Sequence, residues 1–162
     1  MRTFRYVGPD SIREQVAGQP GGLEIATQTD LKRWAESEAV QAEDGWCTYV
    51  VSAEGRLLVA SRRTEHVACA EGKLVRCAGE LRATTKGEVV EISNNSTGYC
   101  PAEDTWDAVR SALDEAVIEH PGDFTFTAVF RKCEACGARN LVKDGWLECA
   151  MCGAQLPESW NF

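Results

Sequence analysis

Four of the chain's eight cysteines stand in two Cys-x-x-Cys pairs, Cys133/Cys136 and Cys149/Cys152. Each pair is followed at once by a glycine, Gly137 and Gly153. A Cys-x-x-Cys turn lets two thiolates reach one ion from the same knuckle. The glycine supplies the positive-φ backbone needed where the chain folds back toward sulfur. Two such knuckles close in sequence complete a tetrahedron of soft thiolates, a ligand set that favours Zn²⁺. Between them, Asn140–Lys143, Asp144-Gly145 and Trp146–Glu148 read as strand, turn and strand, with Asp-Gly as the turn signal. Cys133, Cys136, Cys149 and Cys152 are therefore the expected metal ligands. Four thiolates leave no position for water, so the expected site is structural rather than catalytic. Its task is to fold a segment too small to bury a core of its own.

The stretch from Cys133 to Leu156 resembles the zinc ribbons of many otherwise unrelated proteins, rubredoxin-like knuckles among them. The resemblance is specific for metal and silent on function, because such ribbons serve in transcription factors, ribosomal proteins, enzymes and adaptors. Iron in a rubredoxin-type site would use the same ligands and make the protein an electron carrier. A redox dithiol fits less well, since it is expected as a single Cys-x-x-Cys at a helix start rather than two pairs joined by a hairpin.

Cys47, Cys69, Cys77 and Cys100 remain. His66 and Cys69 stand three apart and could begin a second metal site, but the spacing to Cys77 and Cys100 is irregular. Free cysteine is commonly a small buried hydrophobe, and Cys47 and Cys77 lie in strand-like runs that suit this role. Cys100 precedes Pro101 near a helix start, where a thiolate is favoured. A nucleophilic Cys100 would need His66 as its base, since His120 falls at the far end of the same helix.

Asn94, Asn95, Ser96, Thr97 and Tyr99 gather polar side chains in a loop before that helix. Such a loop suits a ligand, although Glu103 and Asp104 would repel an anion there. The stretch His66, Ala78-Gly79-Glu80 and Ile92–Pro101 resembles a segment of uncharacterised bacterial proteins, some of which accompany toxin or conflict systems. The usual form, Asn-x-Ser-Gly-His-Tyr-x-Pro, has a histidine that Thr97-Gly98-Tyr99 lacks, and the resemblance implies no established activity. If the segment is a catalytic site, its candidates are His66, Glu80, Asn95, Ser96 and Tyr99, with His66 and Glu80 as acid and base.

The elements that must position these residues read as follows. Arg2–Val7 is a first strand, Ser11–Val16 a short helix, and Gly18–Gly22 a loop. A second helix is capped by Thr29 or Asp30 and carries Leu31, Trp34 and Ala35 on one face. Trp46–Ser52 and Arg56–Ala60 form a hairpin about Ala53-Glu54-Gly55. Ser61–Ala70 is a loop or a single helical turn. Leu74–Ala83 and Glu88–Ser93 form a second hairpin. Asp104–Glu119 is the clearest helix, with Trp106, Val109, Leu113, Ala116 and Val117 at helical spacing. Phe124–Phe130 alternates as a strand running into Cys133. The predicted fold class is α+β: a mostly antiparallel sheet with a long packing helix, plus a C-terminal zinc ribbon. Residues 1–130 form the body, and residues 131–162 the ribbon and an aromatic tail.

The chain has 162 residues and a formal net charge of −8. An acidic balance opposes extended nucleic-acid binding, which draws its affinity from phosphate neutralisation. A ribbon with Arg131, Lys132, Arg139 and Lys143 on a basic side remains an alternative. No apolar run approaches the roughly 20 residues that span a bilayer, and no apolar segment follows Met1–Tyr6, so a cytoplasmic protein with no membrane contact is expected. The leading expectation is a non-enzymatic binding or adaptor protein whose partner is another protein and whose cofactor is one structural Zn²⁺. The alternative is a small enzyme acting on a nucleotide or RNA through His66, Glu80 and Asn95–Tyr99.

Overall fold

The computed structural model describes the whole chain, residues 1–162. Trp46–Ser52 forms strand β2, and its five central residues, Cys47 to Val51, are all buried. A strand covered on both faces has no reason to alternate, which is why this segment carries so few polar residues. The chain returns through Gly55, at φ +90°, as β3, Leu57–Ser61. β4, Val75–Ala83, pairs with the other side of β2, and β5, Val89–Ile92, pairs with β4. With β1, Leu23–Ile25, on the edge of β3, the five-stranded sheet has the order β1-β3-β2-β4-β5. Every pairing in it is antiparallel. The fold is α+β, as the order of elements predicts.

Helices cover both faces. They are α1 (Asp10–Val16), α2 (Gln28–Glu36), α3 (Glu38–Gln41), α4 (His66–Cys69) and α5 (Trp106–Glu115). On one face Cys47, Tyr49 and Val51 pack with Leu31 and Ala35 of α2 and with Val109 and Leu113 of α5. On the other, Val50 and Ala78 meet Val67 and Cys69 of α4, together with Phe4, Tyr6 and Tyr99. Each large aliphatic side chain buried this way contributes about 1.5–3 kcal/mol. No helix is long and apolar enough to cross a membrane.

The structure corrects several boundaries. Arg2–Val7 is not a strand: Phe4 exchanges one pair of hydrogen bonds with Val75, and then the Val7 and Gly8 N–H groups turn to the Gly98 carbonyl. That change of partner stops a ladder from forming. The cap of α2 is Thr27, not Thr29 or Asp30. The Thr27 hydroxyl accepts from the Asp30 N–H at 3.2 Å, and the Asp30 carboxylate accepts from the Thr27 N–H at 2.9 Å, a reciprocal capping box. α5 ends at Glu115 rather than Glu119. Val117 takes φ +56°, and the N–H groups of Ile118 and Val117 close onto the Leu113 and Asp114 carbonyls. This is a Schellman stop built on valine where glycine is usual.

One glycine is required by a close approach. A Cβ on Gly79 of β4 would stand 1.9 Å from the Ser93 carbonyl oxygen, where the chain leaves β5. The Tyr49 hydroxyl donates to that same carbonyl at 2.8 Å from inside the core.

Candidate metal centre

The ribbon is built on a separate two-stranded sheet, β6 (Val129–Lys132) paired with β7 (Arg139–Val142). Both the expected strand Phe124–Phe130 and the expected hairpin about Asp144-Gly145 are redrawn here. The ladder falls at the end of the first segment, and β7 pairs with β6 rather than with Trp146–Glu148. The reason lies in the first knuckle. Lys132 and Arg139 are register partners, so the turn between β6 and β7 is the Cys133–Cys136 knuckle itself. The Asp144-Gly145 turn does form, with φ +52° and +70°, but it leads to a single bridge, Glu148 to Gln155.

The two knuckles are near copies. The Cys133 N–H donates to the Ala138 carbonyl and the Gly137 N–H to the Cys133 carbonyl, both at 2.8 Å. The Cys149 N–H donates to Ala154 at 2.8 Å and the Gly153 N–H to Cys149 at 2.9 Å. Gly137 and Gly153 take φ +76° and +75°. The glycines thus do what their position after each pair predicts.

The four Sγ atoms lie within 4.8 Å of one another. Cys133 and Cys152 Sγ are 3.6 Å apart, and Cys136 and Cys149 Sγ 3.7 Å. A disulfide needs about 2.05 Å, so no sulfur pair is bonded. Metal–sulfur bonds of about 2.3 Å arranged tetrahedrally place the sulfurs about 3.8 Å apart. The cluster therefore fits one tetrahedral thiolate-bound ion. Cys133 and Cys149 are buried, while Cys136 and Cys152 are exposed.

Asn140 on β7 supports the site. Its amide nitrogen donates to the Ala138 carbonyl at 3.1 Å and to Cys149 Sγ at 3.5 Å, and its amide oxygen accepts from the Ala150 N–H at 3.0 Å. One buried side chain thus ties both knuckles together and orients a ligand, the role that outer partners play around metals. Hydrogen bonds from the Cys152 and Met151 N–H groups, Asn140 and the Cys136 thiol outweigh desolvation and bring the Cys149 thiol down to about 6, while its partner Cys136 is pushed up to about 12. Sequence reasoning read Asn140 only as strand. The available signal was an amide, disfavoured in strands, between two cysteine knuckles.

The body cysteines behave differently. Burial pushes Cys47, Cys69 and Cys100 up to about 12 and Cys77 to about 11. Cys100 packs with Ala128 and Phe130, its thiol 3.3 Å from the Thr97 carbonyl. Cys69 points its thiol at the Leu58 carbonyl. The one group of cysteine, histidine and acidic side chains placed to hold a metal is the ribbon set.

Of the candidate catalytic residues, His66, Glu80 and Asn95 are neighbours through Gly79 and Ser93. His66 opens α4 and lies against β4, its Nε2 donating to the Gly79 carbonyl at 2.9 Å. Desolvation holds it below the ordinary imidazole value, against the favourable Gly79 contact and the nearby Glu80. Glu80 pairs with Arg62 at 3.4 Å. The Ser96 hydroxyl accepts from the Tyr99 N–H at 3.3 Å, and the Tyr99 hydroxyl donates to the Lys73 carbonyl at 2.9 Å. Asn95 is fixed through its backbone N–H to the Ser93 hydroxyl. The geometry thus brings His66 beside Gly79-Glu80 and uses Ser96 and Tyr99 as internal anchors.

The basic side of the ribbon is reduced. Arg131 is buried and forks onto Glu103, with Nη2 to Oε1 at 2.7 Å and Nη1 to Oε2 at 3.3 Å. Burial works against the Glu103 charge, but the Arg131 hydrogen bonds prevail and hold its carboxyl below the ordinary range. Arg139 bonds the Thr97 carbonyl. No family model matches the chain, and neither does any curated protein or solved structure.

Proposed function

We propose that this chain holds one Zn²⁺ through Cys133, Cys136, Cys149 and Cys152 as a closed structural site, and acts as a non-enzymatic protein-binding module. The observation that carries the metal part is the sulfur geometry. Separations of 3.6 and 3.7 Å in a four-cysteine cluster are those of a tetrahedral thiolate site. Zinc is favoured over iron because nothing else in the chain points to electron transfer. Four protein ligands leave no open coordination position, so the ion stabilises the ribbon rather than activating water.

The binding part is supported by the surface that such a ribbon presents. Trp146, beyond the Asp144-Gly145 turn, and Met151, in the second knuckle, are 69% and 79% exposed. An exposed tryptophan and methionine suit a protein partner, since these residue types are enriched at interfaces. The net charge of −8 and the engagement of Arg131 and Arg139 favour protein over nucleic acid.

Elemental analysis of the purified chain tests the metal. Zinc at about one per chain is expected for a closed four-ligand site, lost in Cys149→Ser. A folded, metal-free wild type sinks the reading, and iron in place of zinc moves it to electron transfer. For the binding role, a protein partner retained by wild type and released by the pair Trp146→Ala and Met151→Ala, with zinc content unchanged, is the expected outcome.

A further inference from the structure

The chain after the second knuckle does not trail away. Leu156 is buried with Cys133 and Cys149 in the ribbon's small core. From there residues 157–162 run back over the body. Beyond Leu156 no backbone N–H of the tail makes a backbone hydrogen bond, so side chains alone hold it. Two of the holding points immediately precede the ligand Cys133. Arg131 Nε donates to the Pro157 and Glu158 carbonyls at 3.2 Å, and its Nη2 donates to Glu158 at 2.7 Å. Asn161 brackets Lys132, accepting from its N–H and donating to its carbonyl, both at 2.8 Å.

The far end of the tail lies on the body. The Trp160 indole donates to the Cys100 carbonyl at 2.8 Å, and its ring stands edge-on to Phe4 at 5.3 Å. Arg2 stacks on the same indole. Phe162 packs on the cluster of Cys100 and Phe130. Together with Phe4 and Tyr99, the two tail aromatics wall a cavity of about 270 Å³.

From this arrangement we infer that residues 157–162 are a metal-latched strap: the ion in the ribbon keeps the strap seated, and its loss lifts Trp160 and Phe162 and uncovers the Phe4–Tyr99 floor. This rests on the metal-binding reading above. The physical reason is position. The root of the strap, Leu156, and its brackets, Arg131 and Lys132, adjoin ligand-bearing segments whose fold depends on the ion. A segment held by a few side-chain contacts belongs to the part of a protein that opens first.

The five tryptophans make the test direct. Trp34, Trp46 and Trp106 lie in the body, Trp146 in the ribbon and Trp160 in the strap. Indole N–H resonances of the full chain are recorded with zinc bound and after stripping by a chelator, metal content being measured by native mass spectrometry. Trp160 is assigned with Trp160→Phe. The expected result is that Trp146 and Trp160 both move to unfolded-chain positions while the three body indoles hold. In parallel, a serine carboxypeptidase, which needs no metal, should release Phe162 on the order of tenfold faster from the stripped chain. If Trp160 stays in place while Trp146 moves, the strap is not latched by the metal, and the proposal falls while the metal reading stands. If all five indoles move, the body itself needs the ion and there is no separate strap. A chain that takes up no zinc overturns the proposal together with the reading beneath it.

Discussion

Cys47 and Cys149 are both buried cysteines of one chain, and they do opposite chemistry. Cys47 sits in β2 among Tyr49, Val51 and Leu31, where burial pushes its thiol up to about 12 and makes it a small hydrophobe. Cys149 sits in a knuckle whose N–H groups point at its sulfur, and its thiol falls to about 6. The contrast extends to the two regions that hold them. The body has a five-stranded sheet with helices on both faces and a cluster of 18 buried residues. The ribbon's own core is three buried residues, two of them cysteines of the four-sulfur cluster. The body can fold by removing apolar surface from water. The ribbon has too little surface to remove and substitutes four sulfurs around one point. A cysteine's role here is therefore set by whether three further sulfurs or apolar side chains surround it.

The comparison breaks most visibly if the metal is taken away. Structural zinc contributes about 10–16 kcal/mol of apparent binding free energy to small metal-folded units. Cys149→Ser is expected to abolish zinc binding and to release residues 133–162 from their folded positions. The β2 and β4 amides should keep their hydrogen-exchange protection. Loss of protection in the sheet would mean that the body, too, depends on the ion.

The reverse experiment is next in size. Leu81 of β4 is fully buried, and Leu81→Ala should cost about 2–5 kcal/mol of body stability through lost transfer energy and a cavity. Urea unfolding measures the cost, and zinc affinity in the folded chain should be unchanged. A parallel fall in zinc affinity would show the two regions folding as one unit.

Asn140→Ala removes the side chain that joins the knuckles but leaves every ligand. Competition titration against a chromophoric chelator should show zinc binding weakened by about 10–100-fold. Unchanged affinity would reduce Asn140 to a strand residue.

The smallest effect concerns His66. Its folded value lies below the ordinary one, so below about pH 6.5 the unfolded chain takes up the proton first. Body stability should fall as pH drops from there through the folded value and then level off with respect to this group. His66→Gln, which keeps a donor for the Gly79 carbonyl, should lack that loss. If both proteins lose stability alike over this window, His66 is not the group responsible.

How much of this was legible in the chain differs from element to element. β2 matches its predicted range, Trp46–Ser52, because its apolar run is bounded by Asp44-Gly45 on one side and Glu54-Gly55 on the other. α5 announces its buried face through Val109 and Leu113, but not its end, since a valine at positive φ is no stop signal. Leu23–Ile25 becomes a strand only because β3 offers it an edge, and nothing in three residues foretells that. Among the candidate catalytic residues, His66 next to Glu80 follows from α4 packing over β2 and β3 with the His66 ring on the Gly79 carbonyl, which spacing cannot show. The contacts that engage Ser96 and Tyr99 are equally invisible to it.

The sequence by itself determined the four-cysteine cluster. Two Cys-x-x-Cys pairs, each with its glycine, fix sulfur positions through local backbone geometry, and local geometry travels with the chain. Tertiary structure decided what the ribbon is attached to. The Arg131–Glu103 fork and the return of Trp160 to Phe4 each join residues far apart in the chain. Such contacts arise from which buried groups find partners once the sheet is assembled, and burial of that kind leaves no periodic trace among the residues that take part.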